Sequence, residues 1–188
     1  MIYSHDIIKK RIFLVGANGM LGQRTADFYS RLENVELLTC SVEDEPVLHN
    51  IDYVQCDLSK RENIKKIIFD FYPDFIINAA AFTNVDQSET ERETAWKINV
   101  KGVEHLSEAC RVLDAHLIHI STDYIFDGIR GPYSENAKPN PLGYYGRTKL
   151  ASENASCPNL HGRPSLQKQI QVCNFGLKSI YLYLAISN

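Results

Sequence analysis

This sequence predicts a doubly wound α/β fold, a parallel sheet with helices on both faces, from three observations. Five short apolar runs recur between residues 11 and 121, and most are separated by stretches with helical spacing of apolar residues. A glycine-rich turn, "GANGMLG", follows the first run at once. Small residues, "NAAA", close the fourth run. Parallel strands require crossover helices, and repeated right-handed crossovers build an open sheet covered on both sides.

The elements follow in order. "RIFLV" at 11–15 reads as a buried strand, and Leu21, Thr25, Phe28, Tyr29 and Leu32 recur behind it at helical spacing. "VELLTC" at 35–40 is the second strand, and the charged "EDEP" at 43–46 reads as a solvated loop. "IDYVQC" is the third strand. A helix from about Lys60 then presents Ile64, Ile67, Ile68 and Phe71 as one stripe and ends at Pro73. "DFIINAA" is the fourth strand. A long helix through Ala95, Asn99, Gly102, Val103, Leu106 and Cys110 leads to "HLIHIS", the fifth. Residues 122–141 are turn-rich, and a helix carrying Tyr145 follows them. The apolar "IYLYLAIS" near the end can pair as a strand.

Composition bounds the function. The chain has 188 residues, 44% hydrophobic and 23% charged, which suits an ordinary globular core. A formal charge of −3 supplies no basic field for nucleic acid, and no apolar run is long enough for a membrane span. The N-terminal "MIYSHDIIKKR" lacks the apolar centre of a secretion signal, so a cytoplasmic location is expected. Five cysteines without a C-x-x-C pair point to reduced thiols, and no metal site is expected. All 23 Asp and Glu lie at or before Glu153, whereas residues 156–188 carry only Arg163, Lys168 and Lys178. The expected organisation is therefore a first domain over 1–155 and a tail of different character over 156–188.

The motifs carry the chemistry. Glycines at 16, 19 and 22 between a strand and a helix allow a tight turn, and the helix N-terminus offers free N–H groups to a pyrophosphate. An acidic residue after the second strand would favour NADH, and a basic one NADPH. Thr39, Cys40 and Ser41 are neutral there, Glu43 lies further along the loop, and Arg24 reads as an exposed helix arginine, so both cofactors stay open. Asp57 can accept from an adenine amino group with Leu58 covering the ring, or it can serve as a helix N-terminal Asp. His116 and His119 point to opposite faces of a strand, which makes them poor joint metal ligands. Ser121, Thr122 and Asp123 emerge at the sheet edge. Tyr145 and Lys149, one helical turn apart, complete a constellation for carbonyl reduction. Tyr145 would give the proton, Lys149 would lower the phenol pKa and hold the nicotinamide ribose, and Thr122 would hydrogen-bond the carbonyl oxygen.

On "FLVGANGMLG", "INAAAFTNVDQSE", "INVKGVEHL", "STDYIFDG" and "PLGYYGRTKLASE", the chain resembles the extended short-chain dehydrogenase/reductases. Within them it resembles the dTDP-4-dehydrorhamnose reductase family. The G-x-x-G-x-x-G spacing is the variant typical of short-chain dehydrogenases. The resemblance implies a Rossmann-like sheet and a catalytic trio of Thr122, Tyr145 and Lys149. It implies NADPH or NADH held by Gly16, Asn18, Gly19, Met20, Leu21, Gly22, Asp57, Leu58, Ala79, Ala80, Ala81 and Asn99, together with Tyr145 and Lys149. The implied partner is a dTDP-sugar, a nucleotide sugar whose 4-keto group is reduced to give dTDP-L-rhamnose, approached by Val85, Asp86, Thr122, Asp123 and Tyr124. It leaves room for a homodimer. Residues 156–188 match none of the family's smaller C-terminal substrate domain and read as a truncated or frame-altered end, so little sugar turnover is expected of this chain. The alternative is a non-catalytic cofactor-binding subunit like the regulatory subunit of methionine adenosyltransferase.

Overall fold

In the computed structural model the described residues are 9–134, 136–156, 169–175 and 178–184, the last two stretches as backbone only. Strand β1 (Lys10–Val15) lies at the centre of a five-stranded sheet, with β2 (Val35–Ser41) and β3 (Asp52–Gln55) on one side and β4 (Phe75–Asn78) and β5 (His116–His119) on the other. Every neighbouring pair is parallel. The order β3-β2-β1-β4-β5 reverses direction between β1 and β4, and open α/β sheets bind ligands at the carboxyl ends beside such a switch.

The apolar run of β1 is continuous because both of its faces are buried. Phe13 and Val15 join Ile76 and Leu117 in one core, closed by Ile64 and Ile68 of α2 (Arg61–Phe71) and by Val103, Leu106 and Cys110 of α5 (Gly102–Leu113). Ile12 and Leu14 join Leu37 and Ile77 on the opposite face, where Ala26 of α1 (Met20–Ser30) packs. Each fully buried aliphatic side chain contributes ~1.5–3 kcal/mol, so these two layers hold the sheet edge in place. Helix α2 stops where Tyr72 turns left-handed (φ 53°) and donates its N–H to Ile68, one residue before Pro73.

The expected stripe of α1 is corrected. Phe28 is 60% exposed, Leu21 and Leu32 are exposed as well, and the buried contacts are Gly22 and Ala26. A Cβ on Gly22 would sit 2.0 Å from the Gly16 carbonyl oxygen, so α1 approaches the turn through small residues, with Leu21 and Phe28 outward and Tyr29 partly buried against the Ile12 and Leu14 core. The long helix expected through Asn99 is interrupted. Helix α4 (Arg92–Trp96) runs into a π-helical turn (Lys97–Lys101) before α5 begins. Helix α3 (Val85–Thr90) was not expected; Asn84 caps it by accepting from the Gln87 N–H at 2.9 Å.

Helix α6 (Tyr144–Ser156) carries the Tyr–Lys pair. Its first backbone N–H, that of Tyr144, is capped by the Glu89 carboxylate of α3 at 2.5 Å. After it, β6 (Gln169–Phe175) and β7 (Lys178–Leu184) pair antiparallel, which places Ile180–Leu184 of the expected strand in a hairpin. Ala185, Ile186 and Ser187 of that expectation lie outside the described residues, as do residues 157–168 of the expected tail. No helix among the described residues is long and apolar enough to cross a membrane.

Candidate functional site

At the carboxyl ends of β1, β2 and β4 the chain leaves a cleft of ≈ 510 Å³. Gly16 makes its floor. With φ +82° it turns the chain sharply out of β1, and its N–H and that of Ala17 both donate to the Cys40 carbonyl, at 2.8 and 2.9 Å. A Cβ at Gly16 would stand 2.6 Å from the Ala80 backbone nitrogen, so glycine lets the turn touch the end of β4. Gly19 is the N-cap of α1, and the first N–H groups of that helix have no intrahelical acceptor. Of the expected cofactor residues, Gly16, Gly19, Met20, Leu21, Asp57, Leu58, Ala79, Ala80 and Ala81 line this cleft. Met20 is 89% exposed beside it. An open cradle of glycine backbone, small alanines and an uncapped helix start fits a dinucleotide.

Three residues expected at the cofactor do other work in the structure. Asn18 donates to the Glu43 carboxylate (3.2 Å) and the Glu45 carbonyl (2.9 Å) and accepts from the Val47 N–H (2.9 Å), so it staples the loop after β2. Gly22 packs α1 on the turn. Asn99, 2% exposed, spends its amide on the Phe82 backbone and on the Thr148 hydroxyl, joining the segment after β4 to α6. Asp57 faces the cleft and accepts from the Ser59 N–H at 2.8 Å in a turn ahead of α2, whose N-cap is Lys60 and not Asp57. Leu58 is both a core residue and part of the cleft wall.

The Tyr145 phenol is hydrogen-bonded with Thr122, and its ring meets Tyr124 edge to face at 5.7 Å. Lys149 is 2% exposed and donates to the Ile120 carbonyl at 2.5 Å. Burial depresses its pKa to about 8. The expected effect of Lys149 on Tyr145 is corrected. Burial, together with the nearby charge of Asp123, raises the phenol above its ordinary value, and the bond to Thr122 only partly opposes that. Lys149 donates to the Ile120 carbonyl, and the phenol stays above its ordinary value.

Sequence reasoning missed the polar chain beneath this pair. Ser152 Oγ donates to the Lys149 carbonyl at 2.7 Å and so has no second proton to give. His119 Nε2 must therefore donate to Ser152 Oγ (2.9 Å), leaving Nδ1 to accept from Asn78 Nδ2 (3.2 Å). Asn78 Oδ1 in turn accepts from the Ala80 N–H at 3.1 Å, which agrees with that amide orientation. A neutral imidazole thus ties the alanine floor to α6. Burial, followed by the charge of Lys149, pushes its pKa well below the ordinary histidine value. The available signal was the spacing of Tyr145, Thr148, Lys149, Ser152 and Ser156, a buried helix face made of polar residues. His116 lies on the other side of β5, stacked on Phe75 at 5.1 Å.

A second cleft, of ≈ 540 Å³, brings Val85, Asp123 and Tyr124 together. Asp86 is exposed in the first turn of α3 and outside this lining. One wall is organised by Asp127, which accepts from the Tyr133 hydroxyl, from Asn140 (3.0 Å) and from the Ile129 N–H (3.0 Å). These bonds, the one from Tyr133 first, lower its carboxyl to about 2. Tyr133 stacks on Phe126 at 4.3 Å.

The sheet order, the glycine turn and the helix bearing Tyr145 and Lys149 define the class as the extended short-chain dehydrogenase/reductases. Residues 10–160 match the family model described as the RmlD substrate binding domain, and the chain belongs to that family. It is 36% identical over 144 residues to a dTDP-4-dehydrorhamnose reductase of Aggregatibacter actinomycetemcomitans, covering 76% of this chain and 45% of the relative. It is 32% identical over 162 residues to the methionine adenosyltransferase 2 subunit beta of Bos taurus, covering 86% and 47%. Among solved structures, a hypothetical dTDP-4-dehydrorhamnose reductase from Sulfolobus tokodaii superposes with a TM-score of 0.71 at 38% identity, over 77% of this chain and 51% of that one. The dTDP-4-dehydrorhamnose reductase of Bacillus anthracis in complex with NADP gives 0.69 at 30%, over 80% and 50%. The chain thus spans about half the length of the relatives it matches.

Proposed function

We propose that this chain carries the dinucleotide-binding and proton-donating half of an NAD(P)H-dependent reductase acting on the 4-keto group of dTDP-4-dehydro-L-rhamnose. The observation that carries the reading is the Tyr145 phenol joined to Thr122 at the carboxyl edge of the sheet, on the helix that also buries Lys149. The identity to reductases, one of them in complex with NADP, supports the substrate and cofactor class. When bound, the reduced nicotinamide supplies the hydride.

The chain's own residues supply the rest. Gly16, Gly19 and the start of α1 would take the pyrophosphate, and Ala79 to Ala81 leave room for a flat ring against backbone. Tyr145, with its pKa raised, keeps its proton at neutral pH, which is the form a donor to the carbonyl oxygen must have. Thr122 would hydrogen-bond the same oxygen and orient the phenol. Lys149 keeps the end of β5 and α6 in register through Ile120, and its ammonium would help to steady the alkoxide charge. Val85, Asp123 and Tyr124 would meet the sugar from the second cleft. A cytoplasmic location belongs to the same reading.

The test is reduced-nicotinamide fluorescence titration followed by turnover with dTDP-4-dehydrorhamnose. Dinucleotide binding with oxidation dependent on the sugar supports a reductase; absence of dinucleotide binding overturns the reading. The second reading, a cofactor-binding regulatory subunit, draws on the 32% identity to the methionine adenosyltransferase subunit. Co-purification with a methionine adenosyltransferase catalytic chain, with no sugar turnover, would favour it.

A further inference from the structure

We propose that Cys40 and Cys56 form a peroxide-reactive dithiol site in the wall of the dinucleotide cleft, and that its closure to a disulfide weakens dinucleotide binding. The second half rests on the dinucleotide reading above; the first does not. Three observations carry the inference. Cys40 is the last residue but one of β2, Cys56 follows β3 by one residue, and the two parallel strands bring both free thiols into one core. The thiols are hydrogen-bonded to each other, and carbonyl reduction uses neither.

The second observation is access. Cys40 is fully buried, whereas Cys56, 4% exposed, lines the cleft beside Asp57 and Leu58. A small hydroperoxide entering the cleft therefore meets Cys56 first. Burial raises the Cys40 thiol well above its ordinary value, while the hydrogen bond from Cys40 lowers that of Cys56 against its own burial and the charge of Asp57. The pair thus gives up its first proton at Cys56, and Cys40 donates to the thiolate.

The third observation is position. The Cys40 carbonyl accepts from the N–H groups of Gly16 (2.8 Å) and Ala17 (2.9 Å), the turn that floors the cleft, and the Cys56 N–H donates to the Ser41 carbonyl at 2.7 Å. Cys40 is in register with Val54, so Cys56 stands diagonal to it, two residues along the next strand. Disulfides hold their Cα atoms ~4.4–6.8 Å apart, so closing a diagonal pair draws the two strand ends together. The acceptor of the glycine turn moves with them.

The chemistry balances with a hydroperoxide as oxidant. The Cys56 thiolate attacks one peroxide oxygen, so that an S–O bond forms, the O–O bond breaks, and the departing hydroxide takes up the proton Cys56 had released. Cys40 sulfur then attacks Cys56 sulfur; the S–S bond forms, the S–O bond breaks, and water leaves with the Cys40 proton. The sulfur pair loses two electrons and the peroxide gains them. Cys110 shares the same core, but burial alone lifts its thiol to about 12, which makes it the internal control.

The experiment is treatment of the chain with hydrogen peroxide, removal of the oxidant, alkylation of free thiols, proteolysis and mass spectrometry. The expected product is a Cys40–Cys56 cross-linked peptide pair short of two hydrogens, with Cys110 alkylated, and dithiothreitol should reverse it. Fluorescence titration with reduced nicotinamide dinucleotide should give a Kd about tenfold higher for the oxidised chain, the scale of one hydrogen bond of the glycine turn given up. That Kd should recover on reduction, and Cys56→Ala should keep one Kd through the same treatment. Cys40 and Cys56 both alkylated after peroxide, Cys56 stopping at the sulfinic acid, or a cross-link through Cys157 or Cys173 overturns the dithiol site. A Cys40–Cys56 bridge with unchanged Kd overturns its coupling to the cleft. A reduced chain that binds no dinucleotide overturns the reading of the cleft and the coupling with it, and the mapped peptides still decide the disulfide.

Discussion

Replacing Gly16 by alanine tests whether the floor of the cleft is set by backbone geometry or by close packing. Two costs add. The first is the left-handed conformation, φ +82°, which costs an L-residue ~1–2 kcal/mol. The second is overlap. The new Cβ would lie 2.6 Å from the Ala80 nitrogen, about 0.8 Å inside the 3.4 Å where ordinary contact begins. Ala80 cannot retreat freely, because its N–H is held by Asn78 at 3.1 Å and the Ala79 N–H is held by Val15 at 2.9 Å. Weakening those two bonds costs ~1–3 kcal/mol in all, for a sum of roughly 2–5 kcal/mol. Gly128 supplies the control. It has φ +75° and nothing within 4 Å of a built Cβ, so Gly128→Ala should show the dihedral cost alone, ~1–2 kcal/mol. Gly19→Ala, at φ −72° and 3.4 Å from the nearest atom, should change stability by less than ~1 kcal/mol. Urea unfolding followed by circular dichroism, with linear extrapolation, gives the three values. The packing argument fails if Gly16→Ala costs no more than Gly128→Ala.

In a version extended to the full length of its relatives, Tyr145→Phe should leave dinucleotide affinity near that of the parent and lower carbonyl reduction by ~10²- to 10⁴-fold, the scale of a lost general acid; near-parental turnover would remove Tyr145 from that role. Lys149 titrates at about 8 when folded and near 10.5 when unfolded, so between those pH values the unfolded chain binds the extra proton and stability rises with pH, by ~3 kcal/mol across the window. Burial lifts Cys110 to about 12, and this works in the opposite sense above pH 9. The measurement is therefore the difference between parent and Lys149→Met, which should grow in the parent's favour from pH 8 to 10; a flat difference would mean that the ammonium is not desolvated. His119, depressed well below 6.5, is neutral in the fold while the unfolded imidazole charges. Stability should then fall as pH drops below 6.5, by at most ~1.4 kcal/mol per unit, and His119→Gln should flatten that slope between pH 5.5 and 6.5.

Local periodicity determined much of this protein before any coordinate. β1 reads as a continuous apolar run because both of its faces are buried, and α2 shows its stripe because Ile64 and Ile68 meet one core. The glycine run, "NAAA" and the Tyr145–Lys149 spacing are likewise local, since a turn, a strand end and one helical turn each fit within a few residues. The Asn84 cap three residues ahead of Gln87 is a local signal of the short α3 as well.

What only the tertiary structure decided lies in contacts between residues far apart in the chain. Asn18 reaches Glu43 across 25 positions, Asn78 reaches His119 across 41, Asn99 reaches Thr148 across 49, and Tyr144 reaches Glu89 across 55. No 3.6- or 2-residue pattern encodes these pairs, because the strand order β3-β2-β1-β4-β5 brings them together. The same order sets Glu43 on the cleft wall, turns Leu21 and Phe28 of α1 outward and brings the Lys149 ammonium to the Ile120 carbonyl. Charge and proton affinity depend on which groups share a low-dielectric neighbourhood, and that is a property of the packed sheet edge instead of the chain's local pattern.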